Sequence, residues 1–199
     1  MSLLFRTATA ILAAILSTAP LKADSLEVRV GYVQWHPDQG PVLSNVLPEP
    51  EDAGLKGAEL GMQDNSTTGK FLGQTYTLES RVAESETEAM AAFDQLRASG
   101  IELFVVNTPA QTLKRMIAKT DADTLLFNAG SKADELRTIE CNANLLHTMP
   151  SYAMLTDALA QWLNQRRWNE IFLITGPTDD DKGWANAFRR SAKRFGLEV

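Results

Sequence analysis

Short apolar runs alternate with helical patterns along most of this chain, and that alternation limits the folds it can adopt. IELFVVN (101–107) and TLLFNAG (124–130) have the length and composition of buried strands. Further strands are predicted at 26–35, 74–84, 144–150, 170–176 and 197–199. Strands that alternate with helices form parallel sheets through right-handed crossovers. We therefore expect an α/β protein built on parallel sheets.

The triplet TGK at 68–70 has the look of a phosphate-binding loop, but its surroundings argue against one. Such a loop requires a second glycine at fixed spacing, a Ser or Thr after the lysine, and a path from strand into helix. Here Phe71 follows the lysine, and the segment comes after a helix predicted at 51–64. Asn65 and Gly69 are predicted to end that helix and to form a turn. Nucleotide binding by this segment is not expected.

Capping patterns mark the starts of the later helices. Ser85 with Glu88 forms a capping-box pattern, and Thr108 followed by Pro109 predicts a cap and a first helical residue. Ser131 is predicted to begin a short helix. A helix that begins at Ser151 is predicted to bury one apolar face. That face consists of Tyr152, Leu155, Leu159, Trp162 and Leu163.

The first 23 residues have the order of a secretory signal peptide. Arg6 precedes an apolar stretch at 8–19, and Ala23 stands at the predicted cleavage site. A buried N-terminal helix is the alternative. The formal net charge of the chain is −6. Loss of residues 1–23 would remove two basic residues, Arg6 and Lys22, and no acidic residue. An acidic exported protein is not expected to bind nucleic acid or anionic membranes. The signal peptide predicts a periplasmic location.

No catalytic constellation is evident. The two histidines lie in different segments: His36 is predicted at a loop surface and His147 in a core strand. No nucleophile elbow and no zinc-protease motif occurs. Cys141 is single and predicted to be buried, and the acidic run at 179–182 is typical of a helix start rather than a metal site. We expect a protein without enzymatic activity, metal or cofactor.

Polar residues at the carboxyl ends of the strands remain the candidate ligand site. Ligands bind beyond these ends in open parallel sheets, and hydroxyl, amide and helix-start N–H groups suit a carboxylate or another small anion. Helix capping is an equally good explanation for some of these side chains, and solvent exposure for the lysine. The candidate ligand-binding residues are Trp35, Asn107, Thr108, Gly130, Ser131 and Lys132.

Four segments, in order, resemble landmarks of a known family. They are GAELGMQDNSTTGKFLGQTYTLES, NAGSKADEL, HTMPSY and IFLITGPTDDDKGWANAFRRSAKRFGLEV. Together they resemble the periplasmic type 1 solute-binding proteins of ABC transporters, the group of the leucine/isoleucine/valine-binding proteins. The likeness spans nearly all of 26–199. The sequence around EPEDAGLKGAELG is most similar to that of a subgroup associated with PQQ-dependent alcohol dehydrogenase systems.

The resemblance implies a two-lobe α/β fold that closes on its ligand by a hinge motion. Residues 24–150 would form the first lobe and 151–199 the beginning of the second, with the crossing between the lobes near 148–150, so that the chain looks truncated. In this reading Trp35 shields a small polar or anionic metabolite, and the other candidate residues anchor it. Lys132 and Lys182 depart from the family pattern, which argues against ordinary branched-chain amino acid binding.

The implied partners are the small-molecule ligand and a membrane permease, and the full-length protein is expected to be a monomer. The alternative function is a periplasmic ligand-sensing domain on the same fold that signals to a partner.

Overall fold

The computed structural model describes residues 25–37, 50 and 52–199. The predicted signal peptide lies outside the described residues. Residues 38–49 and 51, most of a proline-rich segment at 36–54, lie outside them as well. The strands are β1 Leu26–Gln34, β2 Gln74–Val82, β3 Leu103–Asn107, β4 Leu125–Asn128 and β5 Leu145–His147. The helices are α1 Ala53–Leu72, α2 Glu86–Ala98, α3 Ala110–Ile117, a 3₁₀ helix Asp134–Arg137, α4 Tyr152–Gln165 and α5 Asp179–Phe195.

All five strands form one parallel sheet in the order β2-β1-β3-β4-β5. The predicted parallel α/β fold is confirmed. Gln34 at the end of β1 is in register with Asn107 at the end of β3, and Asn128 of β4 is in register with His147 of β5. Because the strands are parallel, their polar carboxyl ends meet at one edge of the sheet.

The main core lies between the sheet and helices α2 and α3. Phe93 of α2 and Phe104 of β3 are fully buried, with ring centroids 4.8 Å apart. Leu113 and Met116 of α3 are fully buried in the same cluster. Burial of one such side chain contributes about 1.5–3 kcal/mol. This packing fixes the sheet that carries the polar edge.

Helix α1 is longer than predicted and runs through the TGK triplet. Asn65 does not end the helix, because its amide donates back to the carbonyl of Gly61 at 2.7 Å. Gly69 is a packing position: a Cβ atom there would lie 2.8 Å from the Tyr76 ring of β2. The helix ends at Gly73, whose φ of 69° is left-handed. The predicted end at Asn65 and turn at Gly69 are wrong, and the triplet is neither a phosphate loop nor a turn.

Helices α4 and α5 pack on each other through small and polar residues. Thr156 and Ser191 are buried and share a hydrogen bond of 2.9 Å, and Ala160 is buried beside them. The predicted apolar face is therefore only partly correct. Leu159 and Trp162 lie 46% and 43% exposed, because α5 meets the face that carries the small residues.

The strands predicted at 170–176 and 197–199 do not form ladders. A single parallel bridge joins Glu170 to Glu198. A strand is defined by its pairing, and the segment pairs with no other backbone within the part of the chain that the structure describes. Phe172 and Ile174 are consequently 90% and 83% exposed. Cys141, predicted to be buried, is also exposed.

Candidate functional site

The ends of β1, β3 and β4 meet at Asn107. The Trp35 N–H donates to the Asn107 carbonyl at 3.1 Å, and His36 Nε2 lies 2.9 Å from Asn107 Oδ1. Gly130 of the loop after β4 packs on the same residue, since a Cβ atom at position 130 would stand 2.7 Å from Asn107 Oδ1. Three of the predicted site loops are therefore in direct contact.

Asn107 is held by a polar cluster beneath it. Its Nδ2 donates to Tyr32 Oη at 3.3 Å and to Gln34 Oε1 at 3.4 Å, and Tyr32 Oη donates to Gln34 Oε1. Burial raises the pKa of the Tyr32 phenol, and the Asn107 hydrogen bond acts in the opposite direction. Gly54 in the first turn of α1 completes the cluster, because a Cβ there would stand 2.5 Å from Tyr32 Oη. The Asn107 amide is thus fixed in orientation.

Thr108 does not cap α3. The N-cap position belongs to Pro109, so Thr108 lies one residue too early to cap, and the structure shows no side-chain cap on this helix. The Thr108 side chain is fully buried, and its hydroxyl has no hydrogen-bond partner among the described residues. The cap predicted for Thr108 is wrong. The first N–H groups of α3 lack intrahelical acceptors, as in any helix, and carry a positive partial charge.

Asn128, the last residue of β4, organises the loop after it. Its Oδ1 accepts from the Gly130 N–H at 3.2 Å and from the Ser131 N–H at 2.8 Å. Its Nδ2 donates to the Ser131 carbonyl at 2.7 Å and to Nδ1 of His147 at 2.9 Å. The sequence places Asn128 among the polar residues at the strand ends, but the six predicted ligand-binding residues do not include it.

Ser131 differs from its prediction in detail. It does not begin a helix: the 3₁₀ helix starts three residues later, and Ala133 is its N-cap residue. The Ser131 hydroxyl accepts from the Ala133 N–H at 3.3 Å, and the residue is only 6% exposed.

The loop after β4 also touches the segment that leads into α4. The Lys132 carbonyl accepts from the Tyr152 N–H at 2.9 Å, and the Asp134 carboxylate accepts from the Ala153 N–H at 3.0 Å. Arg137 Nη2 donates to the Met149 carbonyl. These contacts connect the candidate site to the predicted crossing between lobes.

The six candidate residues differ in exposure. Thr108 and Ser131 are buried, whereas Trp35, Asn107, Gly130 and Lys132 are partly exposed, and Trp35 also packs against the main core. Lys182 is on α5, where it pairs with Asp179 at 3.1 Å. Around Asn107 and Asn128 the structure brings together five of the six candidates, which are Trp35, Asn107, Thr108, Gly130 and Ser131. Their roles toward a ligand stay predictions.

None of the helices in 52–199 combines the length and apolar character needed to cross a membrane. No group of three or more His, Cys, Asp or Glu side chains in the described ranges is arranged to hold a metal ion.

No protein-family model and no curated protein matches the chain. Solved structures do. An ABC transporter substrate-binding protein from Desulfitobacterium hafniense in complex with leucine has a TM-score of 0.66 at 19% identity, over 87% of this chain and 49% of that one. A branched-chain amino acid ABC transporter protein from Thermus thermophilus with bound valine has a TM-score of 0.60 at 16% identity, over 87% and 44%. A solute-binding protein from R. palustris in complex with benzoate has a TM-score of 0.62 at 13% identity, over 88% and 46%.

The chain spans about half the length of these proteins. Identities this low carry information about fold alone. The parallel sheet and its flanking helices match these structures over that half, so this chain has the α/β fold of the type 1 periplasmic binding proteins.

Proposed function

We propose that this protein is the solute-binding component of an ABC importer in the periplasm. It binds a small polar or anionic metabolite by closure of two lobes and delivers it to a membrane permease. Residues 24–150 form the first lobe in this proposal, and 151–199 contribute to the second. The fold and the ligands of the similar structures support this reading, and the chain spans only part of such a protein.

The observation that carries the proposal is the contact of three loops at the carboxyl edge of the sheet. His36, Asn107 and Gly130 meet there within hydrogen-bond or van der Waals distance. Ligands of open parallel sheets bind at this edge. The start of α3 lies in the same place, has no side-chain cap and favours a negative charge.

A carboxylate is the ligand group that this edge suits. Leucine, valine and benzoate, which are bound by three of the similar structures, all carry one. Lys132 adds a positive charge beside the loop. Asn107, whose amide bonds to Tyr32 and Gln34, and Gly130, which packs on Thr108, hold the loops around the ligand in place. Trp35 shields the ligand from solvent, while Thr108 and Ser131 support the loops from below.

The resemblance to proteins of PQQ-dependent alcohol oxidation narrows the proposed ligand to a carboxylic acid formed from an alcohol. Oxidation of alcohols yields aldehydes and carboxylic acids, and a receptor for carboxylates would bind the acids. The test is isothermal titration of the protein with leucine, valine, benzoate and short alkyl carboxylates, with the matching alcohols as controls. We expect a carboxylate to bind and its alcohol not to bind.

The variant Lys132→Ala should weaken that binding by more than about tenfold, because a hydrogen bond to a charged group contributes about 1.5–3 kcal/mol. Lys193→Ala is the matched control, because Lys193 is an exposed lysine in the last turn of α5. A panel without any heat of binding would contradict the proposal. Gel filtration of the same protein tests the expected monomer.

A further inference from the structure

We infer that His147 is a proton-sensitive latch on the loop after β4: proton uptake by its ring releases residues 130–132 and lowers affinity for the solute. The inference concerns regulation of the candidate site and in that respect rests on the proposed function. The latch itself is a property of the folded chain and can be measured without a ligand.

The hydrogen bonds around Asn128 fix which atom faces the His147 ring. Asn128 Oδ1 accepts from two backbone N–H groups, those of Gly130 and Ser131, at 3.2 and 2.8 Å. The other side of the amide, Nδ2, must therefore point at the Ser131 carbonyl and at His147 Nδ1, 2.9 Å away. Since Nδ2 is a donor only, Nδ1 must be an acceptor. The ring is neutral, with its proton on Nε2.

A second proton, taken from solvent, can bind only at Nδ1. That atom would then present an N–H to the N–H of Asn128, so the pair would separate or the amide would turn over. A turned amide places Nδ2 against the N–H groups of Gly130 and Ser131, which then lose their acceptor, and separation of the pair removes the His147 contact that keeps the amide from turning. The loop proposed to anchor the ligand depends on that acceptor for its shape.

The groups around the ring oppose protonation. Burial lowers the pKa of His147, and the positive charge of Arg137 on the 3₁₀ helix lowers it further, against a hydrogen bond to the Leu136 backbone that favours the charged ring. On β4 the facing group is the neutral Asn128 amide. The carboxylates on the 3₁₀ helix are already paired, Asp134 with the start of α4 and Glu135 with Lys114.

The same residues hold the segment that leads out of the sheet. The Thr148 N–H and hydroxyl both donate to the Asn128 carbonyl, at 3.1 and 3.0 Å. That segment, 148–150, carries no ionisable side chain. Arg137, which faces His147, donates to the Met149 carbonyl. Proton uptake at His147 therefore acts on the ligand loop and on the predicted crossing between lobes at once.

The first experiment is an NMR titration of the labelled chain, with His36→Gln to assign the His147 signals. We expect His147 to titrate below the ordinary histidine pKa of about 6.5. Amide exchange at Gly130 and Ser131, corrected for its intrinsic pH dependence, should speed up by about fivefold through the same transition, the loss of one hydrogen bond each.

Two variants keep the test decisive. In His147→Gln the side-chain oxygen can accept from Asn128 without titrating, so the pH-dependent acceleration should disappear. In Asn128→Asp the carboxylate still accepts from both N–H groups and now pairs with a protonated ring, so the His147 pKa should rise above that of wild type. If Gly130 and Ser131 do not respond to the His147 titration, or if His147→Gln leaves their response unchanged, the latch is overturned.

The second experiment measures benzoate and leucine binding from about pH 7.5, above the ordinary histidine pKa, down through the His147 transition that the NMR titration locates. A latch that regulates the site should weaken binding by about fivefold in wild type and leave binding by His147→Gln flat. Equal pH profiles for the two proteins would overturn the inference. Silence of both probes, with the amide response intact, would instead contradict the proposed function and leave the latch supported.

Discussion

Gly130 lies against the backbone of Thr108 so closely that a Cβ atom at position 130 would stand 2.6 Å from the Thr108 nitrogen. The neighbouring atom belongs to the backbone, so it cannot move aside as the end of a flexible side chain could. Only glycine allows the loops after β3 and β4 to meet at this distance. The geometry of the candidate site therefore depends on the absence of one methyl group.

Gly130→Ala should destabilise the protein by about 1–3 kcal/mol, the usual cost of an extra carbon in a packed place. Urea unfolding followed by circular dichroism measures the change. Gly57→Ala is the matched control, because a Cβ there meets open space in the interior of α1. That variant should gain about 0.5–1 kcal/mol from helix propensity. Equal stability of Gly130→Ala and wild type would show that the loops do not touch as described.

The phenol of Tyr152 joins α4 to α5, because it donates to Asp180 Oδ1 at 2.7 Å. Burial and this contact raise the pKa of the phenol well above its usual value. The Tyr152 phenol ionises near pH 10 in the unfolded chain and at a higher pH in the folded protein. Its contribution to stability is therefore complete below about pH 10 and falls as the pH rises further.

Tyr152→Phe should lose about 0.5–1.5 kcal/mol at neutral pH, the net value of one hydrogen bond, and should show a weaker decline above about pH 10. Thermal unfolding at a series of alkaline pH values tests both expectations. Tyr76→Phe serves as the control, since the Tyr76 hydroxyl donates to Gln74, on its own strand. If Tyr152→Phe and wild type decline in parallel, the phenol is not protected as described.

Asp157 of α4 joins the two helices from the other side. It accepts from Ser191 at 2.6 Å and from Arg190 and Arg194 at 2.8 and 2.9 Å. The Ser191 hydrogen bond and the two guanidinium groups lower the pKa of its carboxyl group. The stabilisation by these contacts is present above the pKa that Asp157 has in the unfolded chain, near 3.9. It is lost as the pH falls through the lower pKa of Asp157 in the folded protein.

Asp157→Asn should therefore cost about 1 kcal/mol at neutral pH, a value reduced by the partial exposure of the ion pairs. The difference from wild type should shrink as acid protonates the wild-type carboxylate. Unfolding free energies from neutral pH down to about pH 3 give the comparison. Asp123→Asn, a change of an exposed carboxylate, should have no such profile. A pH-independent difference would assign the effect of Asp157→Asn to packing.

The five strands of the sheet could be predicted because the signal is local. The run 101–107 is largely apolar, and its Ile101, Phe104 and Val106 side chains are buried in the core. The end of α1 could not be predicted in this way. Asn65 and Gly69 are turn formers in isolation, but inside the helix Asn65 donates to the Gly61 carbonyl and Gly69 packs on the Tyr76 ring of β2.

The candidate site shows the same division. The position of the site could be predicted, because parallel strands place their carboxyl ends together. The hydrogen-bond partners of each polar group could not be predicted, because they depend on the register between strands that are distant in sequence. The pairing of Asn128 with His147 follows from the alignment of β4 with β5, and the missing cap at Thr108 follows from a helix start displaced by one residue.

Thr108 and Thr112 provide a direct test of what a buried hydroxyl contributes. Both side chains are fully buried, but Thr112 donates to Glu86 Oε1 at 2.9 Å, whereas the Thr108 hydroxyl has no partner among the described residues. An unpartnered buried hydroxyl costs free energy, so its replacement by a methyl group of similar size should be favourable. Thr108→Val should then raise the free energy of unfolding by about 1 kcal/mol, and Thr112→Val should lower it by about 1 kcal/mol.

The same pair distinguishes a structural role from a binding role for Thr108. If the hydroxyl turns toward a ligand carboxylate when the lobes close, Thr108→Val gains stability and loses affinity for that carboxylate by about fivefold. Urea unfolding and isothermal titration of both variants supply the two readouts. Destabilisation by Thr108→Val would mean that the hydroxyl has a partner in the folded protein, and unchanged affinity would remove Thr108 from the set of ligand-anchoring residues.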